Sequence, residues 1–395
     1  MSTDDMTTGT APGGRPKGEP AGARPARPRL EYVDNLRIAL TALVVLHHVA
    51  VTYGNIPAWY YTEPAKDGSG LLLDIAVTFN QAFFMGFFFM IAGYFTPASY
   101  DRKGARPFLR DRLKRLGIPL LAFILLIRPL VNFGGFAEWR DKMPYWLYYV
   151  VSWDAGPMWF VEVLLVFSAL FVLGRRFRGR GGAGPDAAAV VCAPRAPRPG
   201  AIALFVLGLA LATYLWRFLV PTGTYFPIVG LPSPNFLPQY ASFFVIGVLA
   251  HRRGWPQALS RRAGRLGFAV ASVATLAYLP VSVLTPSESM AGHGTWQSLA
   301  TAAWESTFAV GMVVGLTVFF RERLNRQGPR AAFLSRHAFT VYLIHPLVLV
   351  GLSYAFRWLH APAVAKFALV GVLALPLCWA VARVVRSLPR ADRVL

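Results

Sequence analysis

From Tyr32 onward the chain alternates between long apolar blocks and short polar segments. The blocks fall at about residues 34–54, 72–98, 112–134, 155–174, 200–220, 237–251, 266–284, 296–321, 333–357 and 363–386. An apolar block of about 17 to 25 residues is what a helix needs to cross a hydrocarbon core of roughly 30 Å. The pattern therefore predicts an all-α, polytopic membrane helical bundle with about ten transmembrane helices. The sixth block is short, and the third contains Pro119 and Pro129. Such breakers are tolerated in membrane helices where neighbours re-satisfy the freed backbone. The segment 143–153, MPYWLYYVVSW, is too short to span and aromatic enough to lie at an interface.

The polar segments test this count independently. Positive charge is concentrated in alternate loops: Arg102, Lys103, Arg106, Arg110, Arg112, Lys114 and Arg115 in 98–115, then further arginines in 175–199, 251–265, 321–336 and the C-terminal segment. The intervening loops are nearly free of it. The 221–236 loop has no charged residue, 285–295 has only Glu288, and 55–71 has Lys66 against Glu63 and Asp67. A wrong span count would break this alternation. The positive-inside rule places the basic loops and both termini in the cytoplasm of a multi-pass inner or plasma membrane protein.

Composition agrees. Of 395 residues 55% are hydrophobic and only 15% charged, against about a quarter charged in ordinary soluble domains. The net charge of +21 would suit a nucleic-acid partner. Its confinement to alternate loops makes it topological instead, with contact to anionic membrane lipids as a further consequence. Residues 1–30 are rich in Gly, Pro, Ala and Arg and read as a disordered basic cytoplasmic tail. No apolar stretch precedes Tyr32, so this tail is not read as a secretory signal. The 175–199 segment reads as a flexible cytoplasmic loop within a transmembrane domain spanning 31–390. Cys192 and Cys378 suggest neither a disulfide framework nor a metal site. No phosphate-loop, dinucleotide or zinc motif is present, so no metal or permanently bound cofactor is expected.

Ionisable groups inside a span are costly and usually face a cavity or a partner. Arg37 and His48 lie eleven residues apart in the first block, almost three whole helical turns, so they share one face about 16 Å apart along the axis. Arg37 falls at the cytoplasmic end and also suits a snorkelling anchor. His48 falls in the outer half, and His47 points elsewhere. Glu162 lies about two turns from the outer end of the fourth block, near the depth of His48. Arg128 and Glu305 fall in the same layer, suiting either a structural ion pair or a substrate role. His345 lies near the middle of the ninth block, and Asn80 and Gln81 suit helix-to-helix hydrogen bonding.

An imidazole is well suited to take a hydroxyl proton near neutral pH. A neighbouring carboxylate would hold it in one tautomer. Arginines at the cytoplasmic mouth would bind phosphate or carboxylate. An acyl-coenzyme A co-substrate would satisfy both demands, its head on Arg37, Arg112 and Arg115 and its thioester reaching inward. The competing reading is a transporter or flippase using the same polar layer, although no internal repeat is present. A membrane-bound sensor is a third, without an attached signalling domain.

These residues resemble those of the acyltransferase-3 family. Arg37 and His48 form an R-x10-H pair similar to its first-helix signature. FFMGFFFMIAGYF resembles its second helix, except that Ala92, Gly93 and Tyr94 stand where the family has Ser-Gly-Phe, so the family serine is missing. FLRDRLKRLGIPLL carries Arg112 and Arg115 in the family's R-x-x-R spacing. MWFVEVLLVF resembles the helix whose acidic residue would be Glu162. SRHAFTVYLIHPLVL resembles the late motif ending in Tyr-Leu-x-His, here Tyr342 and His345. None is specific alone; five in order are. The resemblance covers about 31–386 and implies transfer of an acyl group, acetyl or succinyl-like, from acyl-CoA to a hydroxyl of a carbohydrate, lipid-linked or small-molecule acceptor. It implies His48 as base or transient acyl carrier, Glu162 as its support, and Arg37, Arg112 and Arg115 at the donor. Arg128, His345, Tyr342 and Glu305 are left as substrate-facing or structural. The long first outer loop and MWFVEVLL also resemble the branch containing glucan-modifying succinyltransferases.

Overall fold

The structure, a computed structural model, describes residues 30–56, 59–179, 194–226, 230–391 and 394–395. The tail 1–29 and the centre of the predicted 175–199 loop lie outside the described residues. The principal helices are α1 (Glu31–Tyr53), α2 (Gly70–Lys103), α3 (Ala105–Asn132), α4 (Tyr145–Val151), α5 (Trp159–Gly179), α6 (Pro199–Leu219), α7 (Leu237–Arg253), α8 (Arg261–Leu284), α9 (Trp296–Arg323), α10 (Pro329–Ala355) and α11 (Ala363–Ser387). Among the described residues there is no β-strand beyond an isolated bridge between Phe226 and Leu231.

Among the described residues nine segments are long and apolar enough to cross a membrane, one of them running from Tyr145 through α4 into α5. The sixth predicted span is the exception. It forms α7, which has only 17 residues. Its brevity is offset by close packing on α2. A Cβ on Gly93 of α2 would meet the Phe244 carbonyl oxygen at 2.1 Å, and one on Gly247 of α7 would meet that of Met90 at 2.1 Å. Glycines at the crossing let the two backbones touch. A second such crossing joins α8 to α9, where a Cβ on Gly267 would lie 2.7 Å from the Gly311 carbonyl oxygen.

Burial sorts the helices into a core and a rim. The apolar windows of α1, α9 and α10 are 61 to 67% buried, whereas that of α6 is 22% and that of α8 only 6%. Leu204, Leu207 and Leu211 on α6 and Val273, Leu276 and Val283 on α8 face outward. In a bilayer such residues meet lipid tails, so the hydrophobic effect does not penalise them there.

Helix ends follow local chemistry. The Ser260 hydroxyl accepts from the Ala263 N–H at the start of α8, and the Thr295 hydroxyl from the Ser298 N–H at the start of α9. Gly254, at φ +62°, closes α7 in the left-handed conformation.

Pro119 and Pro129 of α3 each follow a wide π-type turn, at Leu113–Gly117 and Phe123–Ile127. A proline supplies no N–H, so it orphans a carbonyl on the preceding turn. Around Pro129 the tyrosines of α4 make good the deficit. Tyr149 donates its hydroxyl to the Ile124 carbonyl, and Tyr145 donates to the Pro129 carbonyl at 2.5 Å. The short aromatic segment predicted at the interface is therefore a helix that completes a broken one. Tyr149→Phe should leave the Ile124 carbonyl without this donor and cost about 1 kcal/mol. Thermal unfolding in detergent should show a midpoint lowered by a few degrees, and an unchanged midpoint would contradict this role.

Candidate functional site

The loop between α1 and α2 folds back over the end of α1. Four anchors hold it. Lys366, only 3% exposed, pairs with Glu63 at 2.5 Å. The Tyr60 hydroxyl donates to Asp154 at 2.7 Å. Asn55 donates through its backbone and side chain to Asp74, at 2.8 and 2.7 Å. Asp67 accepts the Ala363 N–H at 3.0 Å, at the N-terminus of α11. The loop so fixed carries Trp59 onto two histidines.

His48 of α1 lies between Trp59 and His345 of α10, with ring centroids 4.0 and 5.0 Å away. Trp59 is nearly parallel to His345 at 5.9 Å. Each imidazole is tied to a carbonyl of its own helix. His48 Nδ1 is 2.8 Å from the Val44 carbonyl oxygen, and His345 Nδ1 is 2.7 Å from that of Tyr342. A carbonyl only accepts, so both Nδ1 atoms carry the proton and both Nε2 atoms present a lone pair. His345 is fully buried, and its Nε2 has no hydrogen-bond partner. Neither does the indole N–H of Trp59 or Nδ1 of His47. Buried polar atoms are ordinarily paired, so a cluster of unpaired ones marks where chemistry or a ligand is accommodated.

The expected contact between His48 and Glu162 does not form; no ion pair joins them within 4.0 Å. Glu162 lies in the first turn of α5, shallower in its helix than the sequence suggested. The reason is helix adjacency. The principal neighbours of α1 are α2, α9, α10 and α11, whereas those of α5 are α2 and α3. The Val44 carbonyl holds the His48 tautomer in place of a carboxylate. Glu162 has a buried Oε2 without a partner and interacts electrostatically with Tyr342. Tyr342 donates its hydroxyl to the Pro157 carbonyl, in the turn preceding α5, and its ring lies 6.0 Å from that of His345.

Arg128 and Glu305 belong to separate ion pairs. Arg128 is wholly buried. It donates to Asp154 at 3.2 Å, to the Tyr149 carbonyl at 3.0 Å and to the Ser152 carbonyl, and its guanidinium lies 4.3 Å from the Tyr149 ring centroid. Glu305 accepts from buried Arg217 of α6 at 2.7 Å. Asn80 and Gln81 join helices as expected, donating to the Leu43 carbonyl at 3.2 Å and to the Tyr240 hydroxyl at 3.2 Å.

At the arginine-rich end, Arg37 pairs with Asp34 at 3.5 Å and is 39% exposed. Arg115, 66% exposed, pairs with Asp111 at 3.2 Å. Arg112 donates to the Thr96 hydroxyl at 3.3 Å. Thr96 lies one turn beyond Ala92 on α2 and donates to the Ala92 carbonyl at 2.8 Å. A hydroxyl near the absent family serine is thus present one turn later, against the family arginine. Trp59 went unrecognised in the sequence, where IPAWYYTEP reads as an outer loop. Its only signal was a run of aromatics in a segment with no apolar face to bury.

This is an all-helical, multi-pass membrane protein with a paired-imidazole centre buried beneath a pinned loop. The chain matches the acyltransferase-3 family, described as an acyltransferase domain, over residues 30–383, and it belongs to that family. It is an acyltransferase. Proteins named "Glucans biosynthesis protein C" from Salmonella schwarzengrund, Salmonella typhi and Salmonella typhimurium strain LT2 are each 25% identical to it over 352 residues, covering 82% of this chain and 83% of the relative. No solved structure matches the chain.

Two predictions follow from the anchors. Arg128→Met strands the Asp154 carboxylate and should cost about 3 kcal/mol of stability, seen as a large fall in unfolding midpoint, while Arg37→Met should change it little. Hydrogen bonds from Ser69 and from the Ala363 N–H hold the Asp67 carboxyl below its ordinary value. A depressed carboxyl stabilises above its unfolded pKa, about 3.9, and the contribution is lost as pH falls through the folded value. The protection of the Ala363 amide from hydrogen exchange, relative to its intrinsic rate at each pH, should therefore fall below about pH 4, and Asp67→Asn should lower it already at neutral pH.

Proposed function

We propose that this protein moves an acyl group, acetyl or succinyl-like, from a cytoplasmic acyl-CoA co-substrate to a hydroxyl of a carbohydrate, lipid-linked or small-molecule acceptor. The observation that carries this reading is the unprotonated Nε2 of His48, fixed by the Val44 carbonyl and set beside Trp59 and His345. His48 Nε2 takes the acceptor's hydroxyl proton as the oxygen attacks the thioester carbonyl. The C–S bond breaks, and coenzyme A leaves as thiolate and is protonated. His345 lies close enough to share that proton or to orient the acceptor, and Glu162 supports the pair. The imidazolium formed on His48 passes its proton on to restore the base.

Arg37, Arg112 and Arg115 occupy the opposite end of the bundle from Trp59. Guanidinium groups there suit the phosphates of coenzyme A. Arg37 and His48 are separated by about 16 Å of helix, so the donor's head and its thioester would engage different ends of α1. The positive-inside rule makes the arginine end cytoplasmic, with both termini on that side. Residues 31–390 would then act as one transmembrane catalytic domain. Among acceptors a glucan is favoured, because the curated relatives carry that word in their name.

The test uses the full chain in liposomes with radiolabelled acetyl-CoA or succinyl-CoA and a glucan acceptor. Label should move to the glucan. His48→Ala should reduce turnover by roughly 10²–10⁴-fold, the range of general-base contributions, without altering the unfolding midpoint. Glu162→Gln should reduce it less. Full activity in His48→Ala would overturn the assignment.

A further inference from the structure

Acyl transfer from a thioester makes two demands on a site. The attacking hydroxyl must lose a proton, and the carbonyl oxygen must carry negative charge while its carbon is tetrahedral. His48 meets the first demand. The second calls for a hydrogen-bond donor placed beforehand where that charge develops.

The imidazole pair does not supply that donor. Both rings hold their proton on Nδ1, against a carbonyl of their own helix, so both Nε2 atoms accept. The hydroxyls around the pair are committed. Tyr60 donates to Asp154, Tyr342 to the Pro157 carbonyl and Thr52 to the His48 carbonyl. His47 packs on Phe84 of α2, with ring centroids 5.0 Å apart. The Trp59 indole is different. Its N–H can only donate, its nitrogen is buried, and it has no hydrogen-bond partner. Its ring lies 4.0 Å from that of His48 and 5.9 Å from that of His345. A hydroxyl held for deprotonation would sit about 3 Å from Nε2, and an indole stacked on the same imidazole borders that space. His48 and Trp59 each keep part of their surface open, so a substrate can enter between them.

Trp59 is also held in place before anything binds. The hydroxyl of its neighbour Tyr60 and the Gly156 N–H share one oxygen of Asp154, each at 2.7 Å. Arg128 holds the other oxygen at 3.2 Å. Gly156, at φ +50°, leaves no room for a side chain, because a Cβ there would run into the Tyr60 hydroxyl. On the far side Tyr61 packs on Tyr354 of α10, with ring centroids 4.7 Å apart. A donor held this way need not reorganise as charge appears, which is what makes such a donor effective.

We propose that the Trp59 indole N–H is the oxyanion donor of the transfer step, which makes Trp59 a catalytic residue carried by the loop between α1 and α2. The proposal rests on the acyl-transfer reading and adds a group to it. As the acceptor oxygen bonds to the thioester carbon, His48 Nε2 takes the hydroxyl proton and the carbonyl π pair moves onto its oxygen. The indole N–H donates to that oxygen. The pair then returns to re-form the carbonyl, the C–S bond breaks, and the coenzyme A thiolate takes the proton from His48.

The test compares the wild-type chain with Trp59→Phe in liposomes, using acetyl-CoA or succinyl-CoA and a glucan acceptor. Phenylalanine keeps an aromatic ring against His48 and removes the N–H. The variant's kcat should fall by about 10²–10³-fold, the cost of removing one oxyanion donor. KM for both substrates should hold, because the bond is made only in the transition state. A second measurement uses the matching dithioester of coenzyme A, in which sulfur, a weak hydrogen-bond acceptor, replaces the carbonyl oxygen. Wild type should prefer the oxygen donor, and Trp59→Phe should lose about tenfold or more of that preference. The preference is a ratio within one preparation, so it does not depend on the fraction folded. Wild-type kcat in Trp59→Phe, or a preference that the substitution leaves unchanged, would overturn the proposal and leave acyl transfer standing. A wild-type chain that moves no acyl group from either donor would remove the acyl-transfer reading itself, and this proposal with it.

Discussion

A polar group inside an apolar bundle must find its partner within the protein, because lipid offers none. That constraint organises this structure. Arg128 would be untenable in the membrane were its donors not taken up by Asp154, Ser152 and the Tyr149 carbonyl. Pro129 would leave a carbonyl bare were Tyr149 not there to donate to the preceding turn. Both debts fall on one short aromatic helix, α4, which explains its placement against α3. Where the same constraint is left unmet, at His345 Nε2, the Trp59 indole and Glu162 Oε2, the protein has kept polar capacity for something other than itself.

The anchors of the loop between α1 and α2 connect this constraint to the site. Trp59 is a loop residue, and loops are ordinarily the most mobile part of a fold. Here Lys366, Asp154, Asp74 and the start of α11 each hold part of the loop. Tyr60 shares Asp154 with Arg128, so the clamp that repairs α3 also steadies the residue next to Trp59. The geometry around His48 thus depends on residues far from it in the chain. His48 and His345 need no distant help in their tautomers, since each is set by a carbonyl within its own helix.

The two ends of the bundle are built on opposite principles. The end that carries Trp59 holds aromatic rings and deeply placed pairs, and the other end holds exposed guanidinium groups. Among the described residues Arg37 and Arg115 each pair with a nearby aspartate on their own helix and remain partly exposed. Such pairs contribute little to stability.

Much of this was legible in the sequence. Apolar block length and the alternation of basic loops set the all-helical membrane fold, because a bilayer dictates both. The spacing of Arg37 and His48 and the Tyr342–His345 motif singled out α1 and α10, the two helices whose imidazoles meet. Contacts between helices were not legible, because periodicity describes one helix's faces and not its neighbours. Hence Glu162 was matched to His48 by depth, although α5 is not among the principal neighbours of α1, and Arg128 and Glu305, equal in depth, turned out to belong to different pairs. The sixth block, short in the sequence, is the short helix α7; what the sequence did not show is the crossing at Gly93 and Gly247 that packs it on α2. The sequence by itself determined what each helix is and which residues are costly to bury. Only the tertiary structure decided which of those costs are met, and at His48, His345 and Trp59 it brought together residues from two helices and a loop that no spacing rule connects.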